Sequence, residues 1–329
     1  MESTYSALTV ARDTQPKLHY DLFVGGSPPM RQLYADIELA AKSQFPILLL
    51  GETGTGKDLV ARAIHERTRP RREPYIPVNL AALPADLVAS ELFGHEKGAF
   101  TGAARAHRGV FDRARNGTIL LDEINCIPYR TQVSLLRVLE SKQVQRLGGS
   151  EPVETDFRLI AATNADLPKE VESRKFRQDL FHRLDTLRIE VPPLRRRRED
   201  IPDLIEYFVA EGRRPLKSRI RGIEAEVLKR LMEYDWPGNI RELRNVIYQA
   251  MICCDGSTIR PQHLPRRLRP NTCKKQTVSF DIGTSLEEIE KAMVITALNT
   301  SGNNRTQAAE LLGITRRAIY SKMLKHGVD

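Results

Sequence analysis

A short apolar run that passes through a glycine-rich turn into a helix restricts the fold of this chain more than any other feature. Ile47–Leu50 has the length of a buried strand, Gly51-Glu-Thr-Gly-Thr-Gly-Lys57-Asp58 follows without a break, and Leu59–His65 has helical spacing. Glycines at 51, 54 and 56 let backbone N–H groups curl around phosphate oxygens without Cβ clashes, and the helix N-terminus adds partial positive charge. In this pattern Gly51, Glu52, Thr53, Gly54, Thr55 and Gly56 form a phosphate cradle, and Lys57 reaches the β- and γ-phosphates as a point charge. Asp58 departs from the general motif, which has Ser or Thr on Mg²⁺ at that position.

Two further apolar runs end in chemistry. Thr118–Leu121 leads into Asp122-Glu123, where the first acid can hold Mg²⁺ through water and the second can orient an attacking water. Leu159–Thr163 ends in Asn164, suited to sensing the γ-phosphate or that water. Three such tips together predict hydrolysis of ATP with Mg²⁺, because Glu123 supplies what mere binding does not need. The alternation of short apolar runs with amphipathic stretches from Phe23 to about Leu194 predicts an α/β fold around a parallel sheet.

From about Glu199 the strands vanish and helical spacing takes over, as in Val227, Leu228, Leu231 and then Leu243, Val246, Ile247, Ala250. The organisation expected is an arm over 1–22, an α/β ATPase subdomain over 23–194, a helical lid over 195–264, a linker over 265–284 and a DNA-binding domain over 285–329. The linker stretch holds two prolines and five basic residues with little apolar period. Ser285-Leu-Glu-Glu288 is a capping box, opening a helix with Leu286, Ile289, Met293 and Ala297 on one face. Beyond it, a short helix packing Ala308, Ala309 and Leu312, a turn at Gly313 and a second helix capped by Thr315 predict an all-α helix-turn-helix. Its second helix turns Ala318, Ile319 and Met323 inward and offers Arg316, Arg317, Tyr320, Ser321 and Lys322 to DNA, with Arg305 nearby.

Charge agrees with that end. The chain carries 51 basic against 42 acidic residues, a net +9, and residues 265–329 hold 11 Lys and Arg against 6 Asp and Glu. The longest clean apolar run is far short of the roughly 20 residues a membrane span requires, and no signal peptide opens the sequence. The four cysteines form no CxxC pair and have no histidine at metal-ligand spacing, which suits a reducing cytoplasm and argues against a disulfide scaffold or zinc site. The Arg195–Arg198 run is read as structural or as a subunit contact rather than as a nucleic-acid patch.

Between the first two tips lies Glu91-Leu-Phe-Gly-His-Glu-Lys-Gly98-Ala-Phe-Thr-Gly-Ala103. Its GAFTGA string, with GETGTGKD, LLDEI, AATN and Trp236-Pro-Gly-Asn-Ile-Arg-Glu-Leu243, resembles the bacterial enhancer-binding AAA+ activators that act on sigma-54 RNA polymerase, from about Val24 to the C-terminus. In that family an acid commonly follows the lysine, so Asp58 ceases to be an anomaly. The resemblance implies that Lys57 binds phosphate, Asp122 holds magnesium, Glu123 polarises water, Asn79 restrains the glutamate until the nucleotide state changes, and Asn164 is a first sensor. It implies arginine fingers at Arg177 and Arg183 acting on a neighbouring subunit, hence a ring, which is a hexamer in many relatives and a dimer when idle. Arg241 matches a second sensor on the lid. Gly98, Ala99, Phe100, Thr101, Gly102 and Ala103 would form the loop that contacts sigma-54, with hinge freedom from its glycines and contacts from Phe100 and Thr101. Arg146-Leu-Gly-Gly149 would be a companion loop, and the helix from Ser285 a dimerisation element as in Fis-like domains.

The family reading competes with two others: a DNA-binding regulator with a silent nucleotide site, and an AAA+ unfoldase or DNA-remodelling motor. Glu123 and Asn164 oppose the first, and the GAFTGA string opposes the second. Many relatives carry a receiver or ligand-sensing domain before the ATPase, whereas about 22 residues precede it here, so regulation by abundance or by a separate protein acting in trans is expected. Among relatives that lack such a domain, the length and layout resemble those of regulators of hypersensitive-response type III secretion genes in plant-pathogenic bacteria, which implies a role in virulence.

Overall fold

The computed structural model describes residues 8–9, 20, 23–68, 73–100, 102–216, 219–269, 280–281, 283–302 and 304–327. The chain divides into two compact units, Met1–Arg269 and Pro270–Asp329.

In the first unit, the elements up to the central sheet's second strand in chain order are β1 (Leu8–Thr9), α1 (Pro28–Ala41), β2 (Ile47–Leu50), α2 (Lys57–Thr68) and β3 (Tyr75–Asn79). There follow α3 (Ala85–Phe93), a hairpin of β4 (Gly94–His95) and β5 (His107–Arg108), α4 (Val110–Arg113), β6 (Gly117–Asp122) and α5 (Tyr129–Ser141). A second hairpin, β7 (Gln143–Gln145) and β8 (Pro152–Glu154), leads to β9 (Phe157–Thr163), α6 (Leu167–Glu172), α7 (Gln178–Leu184) and β10 (Leu187–Glu190). The central sheet runs β10–β2–β9–β6–β3 with every neighbouring pair parallel.

Alternation along each strand assigns its side chains to two cores. Ile47 and Leu49 pack with Ile160, Ala162 and Leu120 under α1 and α2, while Leu48 packs with Ile119, Leu121, Leu159 and Ala161 under the helices of the other face. Both faces are covered, so the inner strands β2, β6 and β9 are mainly apolar, as the sequence leads one to expect, whereas the edge strand β10 carries exposed Arg188 and Glu190. Parallel pairing places all carboxyl ends at one edge: Leu50 lies opposite Thr163, Asp122 opposite Ala162, and Asn79 opposite Asp122.

The lid comprises α8 (Ile201–Arg213), β11 (Gly222–Ile223), α9 (Ala225–Glu233), α10 (Asn239–Ile252) and β12 (Thr258–Ile259). Its core holds Leu204, Phe208, Val227, Leu231, Trp236, Leu243, Val246, Ile247 and Ala250. Leu268 is also buried there, inside the stretch expected to be linker. The arm contributes β1, which pairs antiparallel with β11.

Among the described residues, the second unit is three helices, α11 (Leu286–Thr300), α12 (Arg305–Leu311) and α13 (Arg316–His326), around Val294, Ala297, Leu298, Ala308, Ala309, Ile319 and Met323. The capping box forms, with the Glu288 amide donating to Ser285 Oγ and the Ser285 amide to Glu288 Oε2. The apolar face expected of α11 is displaced. Leu286 is 84% exposed and Met293 is exposed as well, while Val294 and Leu298 join Ala297 inside. Glu290 lies on the side facing α13, where it pairs with Lys322.

Candidate nucleotide site and partner-facing surfaces

Lys57 opens α2 and is buried, its Nζ donating to the Gly51 carbonyl at 2.8 Å. Thr55 Oγ1 donates to the Glu52 carbonyl, which closes the turn. At the tip of β6, Glu123 has a left-handed backbone (φ 54°) and its amide donates to Asp122 Oδ1 at 3.1 Å. A glutamate held in that sparsely populated region is a local strain that the surrounding fold must maintain. From the tip of β9, Asn164 Nδ2 donates to Thr53 Oγ1 at 3.0 Å. Thr163 donates to Asn125 Oδ1 at 2.7 Å, a link between the β6 and β9 tips through a residue that the sequence reading did not single out. The three expected tips therefore converge on one edge. Asp122 supplies one carboxylate there, which suits Mg²⁺, an ion commonly held by one or two carboxylates together with substrate phosphates. Asn79 sits beside Asp122 in strand register, but its side-chain oxygen accepts from the Ala81 amide, and it makes no hydrogen bond to Glu123.

The lid closes on the glycine-rich turn through main chain and one buried amide. Ile240 N and Arg241 N point at the Gly54 carbonyl, at 3.0 and 3.4 Å. Asn239, fully buried with φ 51°, donates from Nδ2 to Glu52 Oε2 and to the Thr53 carbonyl, both at 3.1 Å, and accepts from Leu194 N at 2.8 Å. Arg195 grips the Glu52 carboxylate with both terminal nitrogens, at 2.7 and 2.5 Å. That grip, opposed by partial burial and helped by Asn239, pulls the Glu52 carboxyl down to about 2. The carboxylate of Glu52, expected in the phosphate cradle, is thus committed to the lid. Asp58, Gly54, Thr55, Gly56 and Arg241 line a cleft of about 390 Å³ whose apolar wall includes Phe23, Val24, Tyr207 and Phe208.

The Arg195–Arg198 run is structural at three of its four positions. Besides Arg195 on Glu52, Arg197 is buried against Met30 and the Thr55 carbonyl, and Arg198 pairs with Asp235 at 2.6 Å. Desolvation lowers the Arg197 pKa against the nearby charge of Asp200.

The Gly98–Ala103 loop crowns the β4–β5 hairpin. Gly98 and Gly102 have φ values of 85° and 105°, and Gly98 N donates to the Ala103 carbonyl at 2.9 Å across the loop neck. Phe100 is 40% exposed, its ring edge-on to His95 at 4.9 Å, whereas Ala103 is buried; Thr101 lies outside the described residues. The Arg146–Gly149 loop caps the β7–β8 hairpin and is stitched to the base of the first. Leu147 N donates to the Gly94 carbonyl and Glu96 N to the Leu147 carbonyl, both at 3.0 Å. Arg146 bridges Glu96 at 2.8 Å and Asp112 at 2.9 Å. The two loops expected from sequence are therefore brought together.

Arg177 precedes α7 and is held by its own chain: Nε and Nη2 reach the Asp179 carboxylate at 3.0 and 2.6 Å, and the guanidinium lies 5.8 Å from the Tyr129 ring. Arg183, exposed on α7, donates to the Leu139 carbonyl at 3.1 Å. In the helical unit, Thr315 Oγ1 accepts from Ala318 N and so caps α13. Arg316, Arg317, Tyr320 and Ser321 are exposed, and Arg305 lies over the Tyr320 ring at 5.1 Å. Hydrogen bonding by Arg305, then by Arg316, lowers the Tyr320 phenol below its ordinary range. Lys322, also expected to face DNA, is partly exposed and pairs its ammonium with Glu290 of α11, which braces the three-helix unit.

Comparison with known proteins agrees with this geometry. The sigma-54 interaction domain model matches residues 23–190, the AAA+ ATPase lid domain model 195–279, and the Fis-family bacterial regulatory protein model 285–326. The chain belongs to the family of sigma-54-dependent transcription activators. Among family members, it is 44% identical over 300 residues to the transcriptional regulatory protein ZraR of Klebsiella oxytoca, covering 91% of this chain and 68% of that protein. It is 42% identical over 309 residues to the regulatory protein AtoC of Escherichia coli, covering 92% and 67%. The crystal structure of NtrX from Brucella abortus in complex with ATP superposes with a TM-score of 0.71 at 33% identity, over 93% of this chain and 70% of that one. The fold is therefore that of an AAA+ ATPase with a helical lid and a Fis-like helix-turn-helix. Among the described residues, no helix is long and apolar enough to cross a membrane.

Proposed function

We propose that this activator hydrolyses ATP with Mg²⁺, assembles into a ring on upstream DNA, and uses the Gly98–Ala103 loop to remodel the closed complex of sigma-54 RNA polymerase in the cytoplasm. The observation that carries the reading is the convergence of Lys57, Asp122, Glu123 and Asn164 on one edge of the sheet. In that arrangement Lys57 exchanges the Gly51 carbonyl for phosphate oxygens. Asp122 holds the magnesium ion, which would neutralise charge on the transferring phosphoryl group. Glu123 orients the attacking water, while Asn164, already on Thr53, and Arg241 of the lid respond to the phosphates. Asn79 adjoins Asp122 and restrains Glu123 only after leaving the Ala81 amide. Arg177 and Arg183 of a neighbouring copy stabilise the charge that develops on the phosphoryl group, and this requires a ring.

Coupling to the polymerase rests on the stitched loops: Arg146, Leu147 and Gly148 move with the base of the Gly98–Ala103 loop, which presents Phe100 and Thr101. Arg305, Thr315, Arg316, Arg317, Tyr320 and Ser321 form the DNA-facing set. Control of virulence promoters rests on the resemblance to regulators of type III secretion genes alone. The deciding experiment is promoter opening with purified sigma-54 polymerase. Wild type opens the promoter only with hydrolysable ATP, Glu123→Gln binds ATP without opening it, and Thr101→Ala hydrolyses ATP without opening it. Promoter opening by Glu123→Gln at the wild-type rate would favour a DNA-binding regulator with a silent nucleotide site.

A further inference from the structure

Gln132 is fully buried on the first turn of α5, and its amide is spent on main chain. Its Nε2 donates to the Ile127 carbonyl at 3.2 Å and to the Lys175 carbonyl at 3.0 Å, and its Oε1 accepts from the Arg177 amide at 2.8 Å. Ile127 lies four residues beyond Glu123, just after the 3-10 turn Ile124–Cys126 that leaves the acidic tip. Lys175 and Arg177 flank Phe176, whose side chain is buried in the core. The segment between α6 and α7 has no strand ladder to satisfy these groups, so one side chain from another element does it. A buried amide is desolvated at a cost and survives only where its bonds are made. A well-packed apolar side chain would serve a core that needed nothing else.

We propose that Gln132 is a positioning residue that couples the Asp122-Glu123 site of one subunit to the arginine that subunit offers to the next. A shift of the Glu123–Ile127 turn during turnover moves the Ile127 carbonyl, and Gln132 passes the shift to the backbone of Arg177. Tyr129, on the same turn of α5, faces the Arg177 guanidinium and moves with it. The coupling rests on the reading that Arg177 acts in trans, and it adds the route by which hydrolysis in one subunit reaches the neighbouring site.

The test uses the full chain. Gln132→Met keeps the volume and removes all three bonds; we expect kcat to fall about tenfold or more while KM and the affinity for a fluorescent ATP analogue stay within about twofold. Mixed rings separate positioning from damage. Glu123→Gln subunits cannot hydrolyse but keep Gln132 and Arg177 intact, so they lend an arginine to Gln132→Met neighbours. The mixture should exceed either variant alone and match the recovery given by Arg177→Ala mixed with Glu123→Gln. Unchanged kcat in Gln132→Met overturns the proposal, and so does a fall that the mixture does not recover while the Arg177→Ala mixture does. Wild-type kcat in Arg177→Ala overturns the trans reading itself. Gln132→Glu, which keeps the acceptor toward Arg177 and loses both donors, covers a failure of Gln132→Met to fold, with the same kcat loss expected.

Discussion

Asn239→Ala tests how the lid is fastened to the phosphate-binding turn. The substitution deprives two main-chain groups of their partners, the Leu194 amide and the Thr53 carbonyl, in a place that is fully buried at Asn239 itself. Each such group costs about 1–3 kcal/mol when left unsatisfied. Alanine must also take the left-handed backbone of Asn239 (φ 51°), which costs about 1–2 kcal/mol more than for residues that tolerate it. The lost bond to Glu52 adds little, because Arg195 still holds that half-exposed carboxylate. The total is about 3–8 kcal/mol, a large share of the 5–15 kcal/mol typical of a folded domain. Trp236, the single tryptophan, is buried in the lid three residues before Asn239, so its fluorescence in a urea titration reports lid unfolding directly. The midpoint should fall strongly, and ATP affinity with it. Asn239→Gly, free of the backbone cost, should recover about 1 kcal/mol. A loss below about 1 kcal/mol in Asn239→Ala would refute the clamp, because it would mean that the buried amide and carbonyl never depended on Asn239.

Other outcomes follow from the same geometry. The Glu52 carboxyl falls from 4.5 to about 2 on folding, so its stabilisation is complete above pH 4.5 and is lost as pH drops toward 2; an acid titration of Trp236 fluorescence should show that part of the transition disappear in Glu52→Gln. A Cβ at Gly148 (φ 74°) would lie 2.9 Å from Ala99 Cβ, so Gly148→Ala should displace the Gly98–Ala103 loop. ATP hydrolysis should then stay within about twofold of wild type while promoter opening fails. Arg316→Ala or Arg317→Ala should each reduce the salt dependence of DNA binding by about one unit of slope if that arginine contacts phosphate. Lys322→Ala should lower the melting temperature of the helix-turn-helix and leave the slope unchanged, because its charge is already paired with Glu290.

What could be read from the sequence is what local pattern encodes. Ile47–Leu50, Thr118–Leu121 and Leu159–Thr163 are legible because strands covered on both faces are apolar at every position, and the polar residue that ends each run stands at the sheet's carboxyl edge. The capping box of α11 is legible for the same reason, since its partners are three residues apart. The buried face of α11 is not. Periodicity from Leu286 points to Met293, but burial depends on where α12 and α13 lie, and they select Val294 and Leu298.

Partners distant along the chain escape pattern altogether. Asn239 meets Glu52 across 187 positions and Gln132 meets Arg177 across 45, and neither pairing leaves a local trace. The Arg195–Arg198 run shows the physical reason. Four identical neighbours have three different fates: two form ion pairs, with Glu52 and Asp235, Arg197 is buried, and Arg196 remains exposed. A charge count cannot separate these, because each fate is set by what the fold brings opposite that position. Lys322 repeats the lesson at the DNA-facing end, where one of the expected cations is neutralised by Glu290. Net charge therefore indicates the class of partner, while the residues that grip it are those whose charge the fold has left unspent.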